Sequence, residues 1–134
     1  MDAAQIATVP LGPLAERMGL ELTHLEPALA EGRCPVAGNT QPFGLWHGGA
    51  SCVLAETLAS VAAVAEVGAG GRAAGVEINA THLAAARDGW VHGRAQAVRI
   101  GRTLATYQVE LRDDAETLLC VARVTVSLQR AATS

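Results

Sequence analysis

The sequence predicts an α+β domain in which one strongly curved antiparallel sheet wraps a single long helix. Three observations carry this. A run from His47 to Ala65 is rich in Ala and Leu and apolar or small nearly all round, which marks a buried helix rather than a half-exposed one. Two short extended runs precede it, and four strand-like runs follow it with turn residues between them. A strand pair, a long helix and then an antiparallel meander make an α+β order.

Taken along the chain, Met1 to Val9 read as disordered or peripheral. Pro10 to Met18 form a short amphipathic helix, with Leu11, Leu14, Ala15 and Met18 on one side and Gly19 as its stop. Leu20 to Glu26 is extended, and Ala28 to Val36 is its hairpin partner. Ala37 to Trp46 is a loop of Gly, Asn, Thr, Gln and Pro that feeds into the helix at His47. Gly68, Gly70 and Gly71 end the helix. The strands that follow are Ala74 to Leu83, Trp90 to Ile100, Leu104 to Leu111 and Leu118 to Leu128, with Asp88-Gly89 and Asp113-Asp114 as turns. The Ala131–Ser134 tail is too short to add an element.

Length and composition set the bounds. A chain of 134 residues is one domain, 1–134, with a core from roughly Gly19 to Gln129. Aromatics are only 3% of the chain, so Val, Leu and Ala must fill the core, and small residues favour close helix–sheet contact. The net charge of −3 leaves no basic excess to neutralise phosphates, so a nucleic-acid partner is not expected. Cys34, Cys52 and Cys120 are odd in number and lack metal-ligand spacing. They read as free thiols in a reducing, cytoplasmic compartment, with no metal expected. The N-terminus lacks the pattern of a signal peptide. Glu56 and the many Ala and Ser residues favour a core helix over a membrane span.

Glu56 is the one carboxylate in the middle of the apolar helix. A buried lone carboxylate costs several kcal/mol unless satisfied. Ser60, four residues on, shares its face and can donate to it. A structural Glu–Ser bond and a wetter helix face are the plain alternatives to a functional site. Gly48 and Gly49 leave the first backbone amides of the helix uncrowded for a ligand. Gly48 and Glu56 are eight residues apart, about 12 Å along the axis, so within one chain they cannot serve the same reacting atom. An antiparallel second copy would bring them together, which predicts a two-fold dimer with composite sites. Gln41 is a candidate hydrogen-bonding side chain in the preceding loop, and Gly101-Arg102-Thr103 is a weak candidate phosphate corner. Cys52 reads as a core cysteine rather than a nucleophile, since no base is paired with it, and Cys52→Ala is expected to retain activity.

The run His47-Gly48-Gly49-Ala50, followed by Glu56 and Ser60, closely resembles the hotdog-fold acyl-CoA thioesterases of the phenylacetate-pathway type. Val76 to Leu83, Gly101-Arg102 and Val109 to Asp114 fall where that family has them. The carboxylate places the chain with the Glu branch, similar to the 4-hydroxybenzoyl-CoA and the enterobactin-pathway proofreading thioesterases. The resemblance implies a hotdog fold and hydrolysis of acyl-CoA thioesters, aromatic or medium-chain, with carrier-protein thioesters as an alternative substrate. It also implies a homodimer, assembled further into a homotetramer, and no cofactor. Glu56 of one subunit would attack the carbonyl or activate water. The Gly48 N–H of the other would donate to the oxyanion, with Gln41 orienting the same oxygen. Ser60 would position Glu56 or the water, and His47 would contact the acyl ring or carbonyl. Arg102 and Thr103 would hold a CoA phosphate, with His82 near the thiol arm. Where relatives often carry an aromatic and Arg-Pro, this chain has Thr81-His82-Leu83-Ala84-Ala85-Ala86. The competing readings are a non-catalytic acyl-CoA-binding sensor and, third, a dehydratase on the same fold.

Overall fold

The computed structural model describes residues 1–132, and the end of the C-terminal tail, 133–134, lies outside the described residues. The chain runs α1 (Ala3–Ile6), α2 (Pro13–Met18), β1 (Glu21–Glu26), β2 (Leu29–Pro35), α3 (Gly48–Val67), β3 (Arg72–His82), β4 (Trp90–Ile100), β5 (Leu104–Arg112) and β6 (Leu118–Gln129). All six strands form one antiparallel sheet in the order β1-β2-β4-β5-β6-β3, with α3 packed on it. This is the predicted α+β hotdog architecture.

The core forms between the sheet and one face of α3. Ala50, Ser51, Leu54, Ala55, Leu58, Ala59, Ala62 and Ala63 are its buried positions. Small side chains along this face let the helix lie close to the strands, and a matched pair of glycines deepens the contact. Gly32 of β2 stands opposite Gly93 of β4. A Cβ on Gly32 would fall 2.9 Å from one methyl of Leu58, and a Cβ on Gly93 2.7 Å from the other. Leu58 therefore seats in a dent that only a glycine pair leaves open. Among the described residues, α3 is the one helix long and apolar enough to cross a membrane, and here its apolar face is the domain's core.

Three expectations are corrected. The first nine residues are not structureless: Asp2 and Gln5 form a reciprocal capping box that starts α1, and Ile6 is buried. The four strands after the helix are not a simple meander. Only β4, β5 and β6 follow one another, while β3 pairs with β6 at the far edge. The segment between β3 and β4 instead passes the start of α3, where the Trp46 amide bonds to the Ala86 carbonyl. Finally, α3 is not buried all round. Glu56, beside the edge strand β3, and Val64, toward the β1 end of the sheet, are both exposed in the single chain.

Leu58→Ala should lower stability by about 2–5 kcal/mol, as for other large-to-small core changes, and Gly93→Ala by about 1–3 kcal/mol through overpacking. In urea denaturation the double variant should lose less than the sum of the two, since one relieves the crowding caused by the other. Simple additivity would show that Leu58 does not seat on Gly93.

Candidate active site

The start of α3 is built from the loop before it. Asn39 anchors that loop by donating from Nδ2 to the carbonyls of Met18 and Pro35, both at 2.8 Å. The His47 amide then donates to the Asn39 carbonyl at 3.0 Å. His47 is the N-cap: its Nδ1 accepts the Gly49 N–H at 2.8 Å. An accepting Nδ1 leaves the ring proton of the neutral imidazole on Nε2, free to donate outward. The Ala50 and Ser51 amides both bond to the His47 carbonyl. Among the described residues, the Gly48 N–H meets no acceptor. It is the unclaimed donor of the first turn, with the positive end of the helix dipole behind it.

His82, at the end of β3, packs directly over this amide. A Cβ on Gly48 would lie 2.8 Å from His82 Nε2, so residue 48 has room for a glycine alone. Gln41 shares the same cleft of about 300 Å³. Its side-chain carbonyl accepts the Phe43 amide, which leaves its NH₂ as the free end. β3 carries His82, the residue expected near the thiol arm, to the helix start.

Glu56 and Ser60 line a different cleft, of about 350 Å³, with Cys52, Thr57 and Leu14. Among the described residues, Glu56 has neither an ion pair nor a side-chain hydrogen bond. The expected Glu56–Ser60 bond is not formed. What Glu56 does touch is the backbone of β3: a Cβ on Gly75 would fall 2.9 Å from its Oε1. Within one chain Gly48 and Glu56 thus open into separate clefts, as their spacing along the helix requires.

Arg102 and Thr103 lie in neither cleft. They form the exposed β4–β5 turn, closed by the Gly101 amide on the Leu104 carbonyl at 2.8 Å. Arg130, which sequence reasoning passed over, clamps this turn. It donates to the carbonyls of Arg102 at 3.1 Å and Gly101 at 3.0 Å, and meets Glu66 of α3 at 3.4 Å. Glu66 is ten residues beyond Glu56, about 15 Å along the axis, so only a long substrate could reach both the turn and the carboxylate. Its position just after the last strand was the only signal in the sequence for Arg130.

The thiols differ in reactivity. Burial pushes Cys34 up to about 11. Cys120 is raised by burial first and then by the neighbouring Cys52. Cys52 is half-buried and lines the Glu56 cleft. Among the described residues, no group of His, Cys, Asp and Glu side chains is placed to hold a metal ion.

One six-stranded antiparallel sheet packed on a single long helix is the hotdog fold. Comparison with known proteins agrees. The family described as thioesterase superfamily matches residues 43–120, more than half of the chain. A 1,4-dihydroxy-2-naphthoyl-CoA hydrolase from Listeria monocytogenes is 36% identical over 118 residues, 87% of this chain and 96% of that protein. The proofreading thioesterase EntH from Cronobacter turicensis is 38% identical over 129 residues, 96% of this chain and 94% of that one. A crystal structure of a thioesterase from Pseudomonas aeruginosa superposes with a TM-score of 0.89 at 32% identity, covering 96% of this chain and 94% of that one. The chain belongs to the thioesterase superfamily, and it is a thioester hydrolase on the hotdog fold.

In the native protein at pH 8, a disulfide thiol reagent should modify at most one cysteine per chain, Cys52, and all three after denaturation. Fast reaction of Cys34 in the native state would contradict its burial and its raised pKa.

Proposed function

We propose that this protein hydrolyses acyl-CoA thioesters with aromatic or medium-chain acyl groups, in sites shared between two subunits. The observation that carries this is the division of chemistry along one helix. The unclaimed Gly48 N–H stands at its start, and Glu56 stands in a separate cleft about 12 Å further on. An antiparallel second helix places the Gly48 of one subunit beside the Glu56 of the other. The open edge of β3 and the uncovered face of α3 support a second copy as the cover. The same scheme extends to a homotetramer of two such dimers.

In this reading the thioester carbonyl oxygen accepts the Gly48 N–H, which grows stronger as the oxygen gains negative charge. The Gln41 NH₂, in the same cleft, is the side-chain donor to that oxygen, and His47 contacts the acyl group from the exposed start of the helix. Glu56 then acts in one of two ways. It adds to the carbonyl and expels CoA thiolate, after which water cleaves the mixed anhydride, or it takes a proton from a water that adds directly. Both end in a carboxylic acid and free CoA. Ser60, one turn beyond Glu56, holds the carboxylate or the water once substrate is bound. His82, over Gly48, borders the path of the thiol arm. Arg102 and Thr103 take a CoA phosphate from a turn that Arg130 keeps rigid. The relatives named for 1,4-dihydroxy-2-naphthoyl-CoA hydrolysis support the aromatic class. No observation favours the sensor, for which an acid beside the carbonyl would serve no purpose.

Glu56→Gln should lower kcat by about 10²–10⁴-fold, the range for losing a positioned base, with the dimer mass unchanged by light scattering. The assay follows CoA release from hydroxybenzoyl-, phenylacetyl- and straight-chain acyl-CoA in parallel. Near-full turnover in this variant rejects the assignment.

A further inference from the structure

Gly75 is the residue of β3 that meets Glu56. A Cβ built on it would lie 2.9 Å from Oε1, 3.3 Å from Cδ and 3.5 Å from Cγ of the glutamate. The glycine is not there for its backbone: unlike Gly68 or Gly89, it does not have a positive φ. It serves instead as space. The strand is shaped around this point, since the pairing with β6 shifts register between Gly75 and Glu77, leaving Val76 as the extra residue of a bulge. Bulges re-aim side chains and backbone near functional sites.

Among the described residues, no polar group fixes the Glu56 carboxylate. It has no hydrogen bond and no ion pair among the described residues. Its side chain would be free to turn were it not resting on bare strand. The geometry points to Gly75 as a positioning residue: the absence of a side chain there sets where the reacting carboxylate stands. This rests on the reading of Glu56 as the reacting group. One methyl would push the carboxyl end outward by several tenths of an ångström to an ångström, because 2.9 Å is inside ordinary contact. Misplacement of about 1 Å at a reacting group costs on the order of 10²-fold in rate.

The test is a kinetic cycle of Gly75→Ala, Glu56→Asp and the double variant, with Glu56→Gln run beside it. Gly75→Ala should lower kcat about 10–100-fold, with KM within about twofold, the dimer intact and Tm no lower, since Ala suits a strand better than Gly. Glu56→Asp shortens the acid and draws it back from the strand. It should therefore cost much less in the Gly75→Ala background than in the wild type, a non-additivity that a purely structural role would not produce. A wild-type kcat in Gly75→Ala, additive effects, or a loss traced to dissociation of the dimer would overturn the inference. If Glu56→Gln is inactive while Gly75→Ala is normal, this inference alone fails. If Glu56→Gln is active, the reading beneath it fails. Should Gly75→Ala not fold, a crystal structure of the wild-type chain decides: a Glu56 carboxylate resting on Gly75 upholds the role, and one turned away from the strand ends it.

Discussion

The seating of Leu58 between Gly32 and Gly93 is the contact on which the rest of the geometry depends. It fixes how close α3 lies to the sheet and how it is rotated. Glu56 is two residues earlier, so it points about 200° around the helix from Leu58, away from the middle of the sheet and toward the edge strand. A different rotation would bury the carboxylate among apolar side chains at a cost of several kcal/mol. The alanines along the same face let the backbone approach, which explains why a domain with few aromatics can still close a core. The functional surface of the helix is thus set by what its opposite face packs against.

How much of this the sequence revealed follows from the range of each interaction. The helix, its glycine stop and the β1–β2 hairpin are local patterns, and they appear where the periodicity places them. The uncrowded helix start was legible too, because Gly48-Gly49 shows two residues without side chains, while the capping of that start by His47 was not. The exposure of Glu56 in the single chain was not legible. It depends on whether a neighbour covers the edge of the sheet, and no pattern within the helix records that. That His82 lies beside the helix start was not legible for a related reason: β3 pairs with β6 rather than β4, and no local pattern records that pairing. Arg130 and Gly75 act through contacts with backbone far away in the sequence, which residue type alone does not disclose. The short α1 rests on a two-residue capping box and one buried Ile6, too small a signal beside a polar N-terminus.

The two clefts share a logic. Among the described residues, the Gly49, Ala50 and Ser51 amides are taken by the His47 ring or its carbonyl, and the Gly48 N–H is left without an acceptor in a cleft that Gln41 also lines. Further along, the Glu56 cleft holds an acceptor with no donor partner among the described residues. Donors without an acceptor and an acceptor without a donor are complementary halves, and the length of the helix keeps them from meeting within one molecule. That separation is the physical reason to expect a second subunit, independent of any likeness to other proteins.

Subunit complementation tests this claim most directly. A Glu56→Gln chain and a Gly48→Pro chain, the latter removing the amide proton and setting a ring against His82 at the first position of the helix, are each assayed as homodimers and then as purified heterodimers. If the halves come from different subunits, both homodimers are inactive and the heterodimer regains one intact site of its two, giving about half of the wild-type turnover per dimer. A heterodimer as inactive as its parents would show that each chain works alone, and would contradict the account.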